Sequence, residues 1–318
     1  MLMRRFMGAA WMVAALASRG ACADTSGTAG FSFLNIPTGA RAAAMGQAFT
    51  SVANDVQGVA YNPASLATLL ASQASFEHLS YVSDITQEGV VYGHAGRDKS
   101  VSWGASANYL RVGDITRTVA TLQDTGDGFT EVGDFSTYDM SMGASAAGPM
   151  TDNLVVGSTV KFIRESLADA SSNAGAVDLG AIYEAGEDHS WNLGASLLNL
   201  GFASKFADAA VKLPYTFRGG VSAQPFAQWL FSADYVKRQD LSGEFDIGAE
   251  VTPQRFLSLR FGYRYQLTHP DLGGLSGFSL GLALRAGRWS VDYAFVPMGD
   301  LGMTNRLSLN FHFKHLRN

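Results

Sequence analysis

The sequence predicts an all-β protein: an antiparallel transmembrane β-barrel of about 14 strands, preceded by an N-terminal plug (hatch) segment. Three observations support this fold class. Successive stretches alternate apolar and polar residues with a period of two, which is typical of strands with two different faces. Charged residues make up 16% of the chain, below the roughly 25% that is usual for soluble domains. The mean hydropathy of +0.05 is too low for a bundle of membrane-spanning helices.

Residues 1–23 are expected to be a secretory signal peptide. Arg4 and Arg5 form a basic start, and an apolar run from Gly8 to Ala17 follows. That run is too short to span a bilayer. The Ala-Cys-Ala sequence at 21–23 resembles a signal-peptidase site, so the mature chain is expected to begin at Asp24.

Cleavage at that site changes the composition in two ways. Removal of Arg4, Arg5 and Arg19 takes the net charge from −5 to −8, and nothing in the chain suggests nucleic-acid binding. Cys22, the single cysteine, is also lost. The mature protein is therefore expected to have no disulfide and no cysteine metal site.

Residues 24–72 differ from the rest of the chain and are expected to form the plug. They are rich in Ala and Gly and lack the period-two alternation. Ala42–Met45 suggests a short helix, and Asn62-Pro63 suggests the start of another turn or helix, because proline is favoured in a first turn. Small residues allow close packing, so a compact plug inside the barrel lumen fits this composition.

Residues 73–313 are expected to form the barrel. In the stretch 255–267, RFLSLRFGYRYQL, apolar or aromatic residues at every second position from Leu257 alternate with Ser258, Arg260, Gly262 and Arg264. An even strand number is usual for bacterial single-chain barrels. Fourteen stretches of this kind are predicted as strands: 74–83, 86–96, 99–110, 134–148, 153–166, 174–186, 189–200, 213–225, 228–239, 242–252, 255–267, 274–287, 288–296 and 302–313.

The polar face of these strands carries charged residues, which a barrel would turn towards its lumen. The predicted lumen-facing charges are Asp178, Glu244, Asp246, Glu250, Arg260, Arg264, Arg285, Asp292 and Arg306. Two roles remain open for them, a transport path or a lattice of structural salt bridges around the plug. A soluble sandwich with the apolar face inside is the alternative fold. The strand number, aromatic residues near strand ends and a last strand ending at Phe313, before a tail at 314–318, favour the barrel.

The links between the predicted strands fall into two classes. Short links such as 149–152 and 253–254 alternate with longer ones at 111–133, 200–212 and 268–273. Outer-membrane barrels have short periplasmic turns and long external loops. The long links are therefore expected outside the cell.

Patterns that would indicate an enzyme or a cofactor are weak. The chain lacks a G-x-S-x-G nucleophile motif. His312 and His315 would face opposite sides of a strand, and the acidic stretch 124–131 lacks the full calcium-loop pattern. We therefore expect no enzyme activity, no catalytic residue, no metal site and no cofactor.

The stretch GARAAAMGQAFTSVANDVQGVAYNPASLA at 39–67 resembles the N-terminal signature of the PorV/PorQ family, within the broader FadL-like outer-membrane barrels. Gln47, Asn54, Tyr61 and Ser65 depart from it. The residues that match are Gly39, Ala40, Arg41, Met45, Gly46, Ala48, Phe49, Asp55, Asn62, Pro63, Ala64 and Leu66.

The resemblance implies a 14-stranded barrel with an N-terminal hatch in a bacterial outer membrane, in contact with its lipid. PorV relatives serve type IX protein secretion and would have the translocon and secreted proteins as partners. FadL relatives carry hydrophobic, fatty-acid-like molecules, which is the alternative role. A barrel enzyme acting on lipids or peptides is the third and least favoured possibility, because the nucleophile motif is missing.

Overall fold

The computed structural model describes residues 29–96, 100–120, 128–168, 170–186, 190–206, 210–268 and 275–313. The expected signal peptide, the tail at 314–318, His315 and residues 124–127 of the acidic stretch lie outside these ranges. Within them the chain forms one closed barrel. No helix in the described ranges is long and apolar enough to cross a membrane.

The barrel has 14 strands, each antiparallel to both neighbours, and β1 pairs with β14 to close it. Closure leaves the barrel wall, as far as it is formed by the described residues, without a free sheet edge. The predicted fold class is confirmed. The strands are β1 Gln73–Ser80, β2 Ile85–His94, β3 Ser102–Ala120, β4 Phe129–Pro149, β5 Leu154–Leu167, β6 Ala170–Ala185, β7 Trp191–Ala203, β8 Thr216–Phe226, β9 Trp229–Arg238, β10 Glu244–Gln254, β11 Leu257–Gln266, β12 Phe278–Ala286, β13 Trp289–Pro297 and β14 Met303–His312.

The two faces of β11 show which side of the barrel is apolar. Leu259, Phe261 and Tyr265 are exposed on the outside, whereas Ser258 and Arg260 are buried on the inside. A buried arginine and an exposed phenylalanine on one strand are the reverse of a soluble fold. This arrangement suits a barrel whose outer face contacts lipid and whose inner face is polar.

The two ends of the barrel differ in their links and in their aromatic residues. At one end, called here the turn end, neighbouring strands are joined by short links such as 227–228, 255–256 and 287–288. The opposite end, the loop end, carries the links at 204–215 and 267–277. Tryptophans lie near the turn end and most tyrosines near the loop end, which gives two aromatic belts of the kind found at membrane interfaces. The tryptophans of the described ranges are Trp103, Trp191, Trp229 and Trp289, and the loop-end tyrosines include Tyr109, Tyr138, Tyr235 and Tyr265.

The predicted loop at 111–133 is wrong in most of its length. β3 continues to Ala120 and β4 begins at Phe129, and the two strands pair beyond the rest of the barrel. β2 pairs with β3 only as far as Val112, and β5 pairs with β4 only from Thr137. Residues 113–120 and 129–136 therefore form a two-stranded arm at the loop end.

The chain before β1 lies inside the barrel, and we call residues 29–72 the luminal segment. It contains the helix α1 Ala40–Ala44 and three 3₁₀ turns, at Ser32–Asn35, Val56–Ala60 and Pro63–Thr68; a fourth, Gly299–Leu301, links β13 and β14. The predicted helix near Ala42–Met45 and the predicted start at Asn62-Pro63 are confirmed. Gly30 bonds to the carbonyl of Lys212 at the loop end, and the segment reaches β1 at the turn end.

Candidate functional site

Glycines on the inner wall form the surface on which the luminal segment packs. A Cβ atom added at Gly157 would lie 2.6 Å from the Pro63 carbonyl carbon, and one at Gly248 would lie 2.6 Å from the Met45 oxygen. Real Cβ atoms essentially never approach other atoms so closely, so these positions admit only glycine while the segment is in place.

These wall glycines occur in cross-strand pairs. The register places Gly93 opposite Gly104, Gly157 opposite Gly180, Gly194 opposite Gly220, and Gly248 opposite Gly262. At each pair, two neighbouring strands lack side chains at the same height. In three of the four pairs, residues of the luminal segment lie against both glycines. In the fourth pair, Gly194 lies against Thr50.

Wall serines bind the backbone of the luminal segment directly. Ser222 donates to the Ser51 carbonyl at 2.9 Å, and Ser196 donates to the Tyr61 carbonyl at 2.7 Å. Ser308 accepts from the Ala40 amide at 2.9 Å. A non-repetitive segment inside a barrel has many backbone groups outside secondary structure, and these hydroxyls satisfy some of them.

Asn62 joins the luminal segment to two strands at once. Its side-chain amide donates to the carbonyls of Thr50 at 2.8 Å, Ala181 of β6 at 3.0 Å and Ala195 of β7 at 3.4 Å. Its oxygen accepts from the Ala64 amide and caps the 3₁₀ turn that begins at Pro63. The Asn-Pro pair therefore ends one part of the segment, starts the next and fixes both to the wall.

A chain of five alternating charges crosses from the luminal segment into the wall. Arg41 binds Asp55 at 3.0 Å and Glu250 at 2.8 Å. Arg260 binds Glu250 and Asp292, both at 2.6 Å. Each inner member thus has two opposite charges, which offsets the cost of burying it.

A second charged cluster centres on Arg218 of β8. Its guanidinium lies 3.2 Å from Asp234 and 3.4 Å from Asp246, and it donates to the Gln47 carbonyl at 2.6 Å. Asp234 accepts hydrogen bonds from the Thr50 amide and hydroxyl at 2.9 and 2.5 Å. This cluster holds the middle of the luminal segment against β8, β9 and β10.

Two aromatic rings of the luminal segment connect these charged clusters. The Arg218 guanidinium lies 5.0 Å from the ring centre of Tyr61, which lies 5.6 Å from that of Phe49. Arg41 in turn lies 5.5 Å from the Phe49 ring. Cation–π contacts of this kind are attractive and strengthen away from water. The Tyr61 hydroxyl donates to the Thr38 carbonyl at 2.7 Å.

Near the loop-end half of the lumen, Glu77 and Arg306 hold the residues before α1. The two side chains form an ion pair at 3.3 Å. Glu77 accepts from the Gly39 amide, and Arg306 donates to the Pro37 carbonyl. Two further pairs lie within the wall itself, Lys161 with Asp178 at 2.6 Å and Arg238 with Glu244 at 2.5 Å.

A cavity of about 120 Å³ remains between the luminal segment and the wall. Its apolar side consists largely of luminal residues, including Phe33, Ile36 and Val59. Its polar side is the inner wall, with side chains such as Gln87 and Lys161. The cavity therefore has one largely apolar side and one side that can form hydrogen bonds.

Apolar clusters lie towards both ends of the lumen. Towards the loop end, Phe31 and Phe33 pack with Leu110, Ile163 and Leu213. Towards the turn end, Val56, Val59, Leu66 and Leu69 pack together with Ala95 and Ala147.

The residues predicted from the family signature all lie in the lumen. Arg41 and Asp55 are half-buried and ion-paired, and the others are buried: Gly39, Ala40, Met45, Gly46, Asn62, Pro63, Ala64 and Leu66. Seven of the predicted lumen-facing charges are buried in the wall: Asp178, Glu244, Asp246, Glu250, Arg260, Asp292 and Arg306.

The other two predicted charges are less buried. Arg264 is only half-buried, opposite Asp246 on β10. Arg285 is exposed near the turn end of β12, where the register places it opposite Ser290 of β13. Arg285 therefore belongs to the rim and not to the buried lumen, because β12 ends one residue later.

Sequence reasoning did not single out Arg218, Asp234 and Glu77 as site residues. Each lies between outward-facing residues of a strand, as Arg218 does between Phe217 and Gly219. The alternation that identified Arg260 could have identified these charges as well. The contact between the Phe49 and Tyr61 rings has no such signal, because both belong to a segment without periodicity.

Comparisons with known proteins agree with this architecture. Residues 6–161 match the model of an uncharacterised protein family, UPF0164. No curated protein matches the chain.

Solved structures similar to this chain include a toluene transporter and a FadL homologue. The Pseudomonas putida toluene transporter TodX matches with a TM-score of 0.57 and 14% identity, over 87% of this chain and 99% of its own. A Pseudomonas aeruginosa FadL homologue matches with a TM-score of 0.53 and 12% identity, over 91% of this chain and 98% of its own. At these identities the likeness concerns the fold, which is that of FadL-like outer-membrane barrels. A barrel of this fold with an apolar outer face indicates a bacterial outer-membrane protein.

Proposed function

We propose that this protein carries small hydrophobic molecules across the outer membrane. The observation that supports this best is the cavity inside a FadL-like barrel, with an apolar side formed by the luminal segment. The similar structures named above include a protein titled a toluene transporter. Transport of this class is therefore a better supported role for this chain than type IX secretion.

In this proposal the luminal segment closes the channel and must shift during passage. The segment packs against the inner wall, and towards the loop end Phe33 lines the cavity with Phe31 in the same apolar cluster. A molecule entering from the loop end would have to displace these two rings. The charged clusters around Arg41 and Arg218 would keep the middle of the segment in place, so that movement is local. A lateral gap between strands is the other exit that a barrel allows.

Uptake by intact cells tests this proposal. Cells that lack their own channels of this fold would express the full chain, and entry of radiolabelled toluene would be followed over time. Entry at least several times faster than in cells with an empty vector supports the proposal. Equal entry in both would contradict it, once the barrel has been shown to be in the outer membrane.

A role in type IX secretion is the second candidate, and the resemblance of residues 39–67 to the PorV/PorQ signature is what favours it. Native mass spectrometry of the protein, extracted gently from its own membrane, separates the two roles. A bound small hydrophobic molecule supports transport. Stable secreted proteins or a large translocon subunit would support secretion instead. The two similar structures named above are titled a toluene transporter and a FadL homologue, which does not favour the enzyme alternative.

A further inference from the structure

We propose that the cavity selects neutral molecules with an aromatic or short aliphatic body and a hydroxyl or similar hydrogen-bonding group, over carboxylates of the same size. This inference rests on the proposed transport function and narrows its substrate class. It follows from three features of the cavity. Its charged side chains are paired, two glutamine side chains each have one amide atom without a hydrogen-bond partner, and one side of the cavity is apolar.

The charged side chains that line the cavity already have opposite charges as partners. Lys161 binds Asp178, Arg238 binds Glu244, and Arg218 lies between Asp234 and Asp246. Glu77 is paired with Arg306 and also accepts from the Gly39 amide. A ligand carboxylate would therefore have to break an existing pair or remain uncompensated, and both are unfavourable in a buried site.

Two glutamines on the cavity, by contrast, have amide atoms without a partner among the described residues. Gln87 is 2% exposed, and its Oε1 has no hydrogen bond. The register places it between Leu79 and Leu110, which are themselves buried and offer no donor. A buried acceptor between two leucines is costly unless something else binds it.

Gln47 provides the complementary group from the luminal segment. It is 3% exposed, and its Nε2 has no hydrogen-bond acceptor among the described residues. Its backbone has a φ of 67°, and its carbonyl oxygen accepts from Arg218 at 2.6 Å. The residue is thus held by its backbone while its side chain is left to bind a ligand. A free acceptor and a free donor on the same cavity suit a hydroxyl, which can donate and accept.

The volume of the cavity limits the size of the ligand, and its apolar side favours an apolar body. A volume of about 120 Å³ is slightly below the roughly 150 Å³ of an engineered cavity that holds benzene in another protein. Phe33, Ile36 and Val59 would contact the body of the ligand. A single ring with a short polar substituent fits this description better than a long acyl chain.

Three probes of nearly equal size test the inference: benzyl alcohol, toluene and benzoate. Each is titrated at pH 7.5 into the full-length protein in amphipol by calorimetry, with partition into protein-free amphipol subtracted. We expect benzyl alcohol to bind about fivefold more tightly than toluene, since one or two hydrogen bonds are gained. We expect benzoate to bind at least about tenfold more weakly than benzyl alcohol, because its charge stays unpaired.

A glutamine variant and a matched control locate the effect. Gln87→Met should weaken benzyl alcohol binding by about fivefold and leave toluene binding unchanged. Gln254→Met makes the same chemical change at the exposed end of β10 and should alter neither affinity. If Gln87→Met does not fold, the ranking of the three probes on the unmodified protein remains decisive.

The outcomes separate this inference from the function on which it rests. The inference is wrong if the three probes bind equally tightly or if benzoate binds most tightly. It is also wrong if Gln87→Met lowers the affinities for benzyl alcohol and toluene by the same factor. If cells nevertheless take up toluene through the protein, the transport function stands without the proposed selectivity. If no probe binds and no uptake occurs, both are wrong.

Discussion

At Gly180, the wall of the barrel and the luminal segment are so close that a single methyl group decides whether they fit together. A Cβ atom there would overlap the Asn62 side-chain oxygen and lie 2.9 Å from Pro63. Asn62 in turn holds the backbone of Thr50 and of two strands. One glycine therefore controls the position of a residue that fixes two parts of the luminal segment.

Gly180→Val should displace Asn62 and loosen the luminal segment. Overpacking of a tight site costs roughly 1–3 kcal/mol, so the melting temperature in detergent should fall, and leakage through reconstituted barrels should rise. Gly175→Val is the matched control on the same strand, because nothing lies within 4 Å of its added Cβ. Equal leakage from both variants would show that the contact at Gly180 does not hold the segment.

Arg41 is the only residue of the luminal segment's signature that forms ion pairs on both sides, with Asp55 and with Glu250. Arg41→Met removes one partner from each acid and should destabilise the folded protein by about 3 kcal/mol. Thermal unfolding followed by circular dichroism measures this. Arg288→Met, at an exposed position in the turn after β12, should leave the transition unchanged. If Arg41→Met lowers the free energy of unfolding by less than about 0.5 kcal/mol, the ion pairs of Arg41 are no stronger than exposed surface pairs.

Among the elements, the arm formed by β3 and β4 extends beyond the strands that neighbour it. Its residues 113–120 and 129–136 pair only with each other, since the neighbouring strands end before them. An isolated two-stranded hairpin contributes little stability of its own. The arm should therefore be dispensable for closing the barrel.

Replacing residues 114–135 by Asn-Gly tests this expectation. Gly113 and Ser136 would then flank a two-residue turn of the preferred hairpin type. The shortened protein should migrate on unheated gels as a folded barrel and melt within a few degrees of the full chain. A failure to form the heat-modifiable barrel would assign the arm a role in assembly.

The elements also show what the sequence could and could not reveal. Strands such as β11 could be predicted because one face meets lipid and the other a polar lumen, which imposes alternation on the residues. In the arm both faces are exposed, so alternation is lost and the stretch resembles a loop. Inward charges such as Arg260 follow from the same alternation. Their partners do not, because a contact such as Arg41 with Glu250 joins residues 209 positions apart.

At the scale of the whole molecule, the luminal segment and the barrel wall depend on each other. The segment makes hydrogen bonds or ion pairs with strands around the circumference, from Glu77 on β1 to Ser308 on β14. The wall in turn has glycines where the segment passes and serines where its backbone needs partners. The luminal segment is therefore fixed to the wall at many points around the barrel.

Deletion of residues 27–70 should open the barrel. The full chain is expected to conduct ions weakly in planar bilayers, because the segment lies inside its lumen. The deletion variant should show a conductance at least several times larger if its barrel still forms, which heat modifiability on gels can verify. A folded deletion variant that conducts no better than the full chain would mean that the segment does not seal the lumen.

The central claim is that the luminal segment must shift at its loop end for a molecule to pass, and a reversible cross-link tests it most directly. A Cβ at Gly30 would lie 3.6 Å from that of Val211, within the range that a disulfide spans. In a Cys22→Ala background, cells carrying Gly30→Cys with Val211→Cys should take up toluene under reducing conditions and lose this uptake on oxidation. Each single cysteine variant should be indifferent to oxidation. Undiminished uptake by the fully cross-linked protein would contradict the account, because the channel would then work with its luminal segment fixed at the loop end.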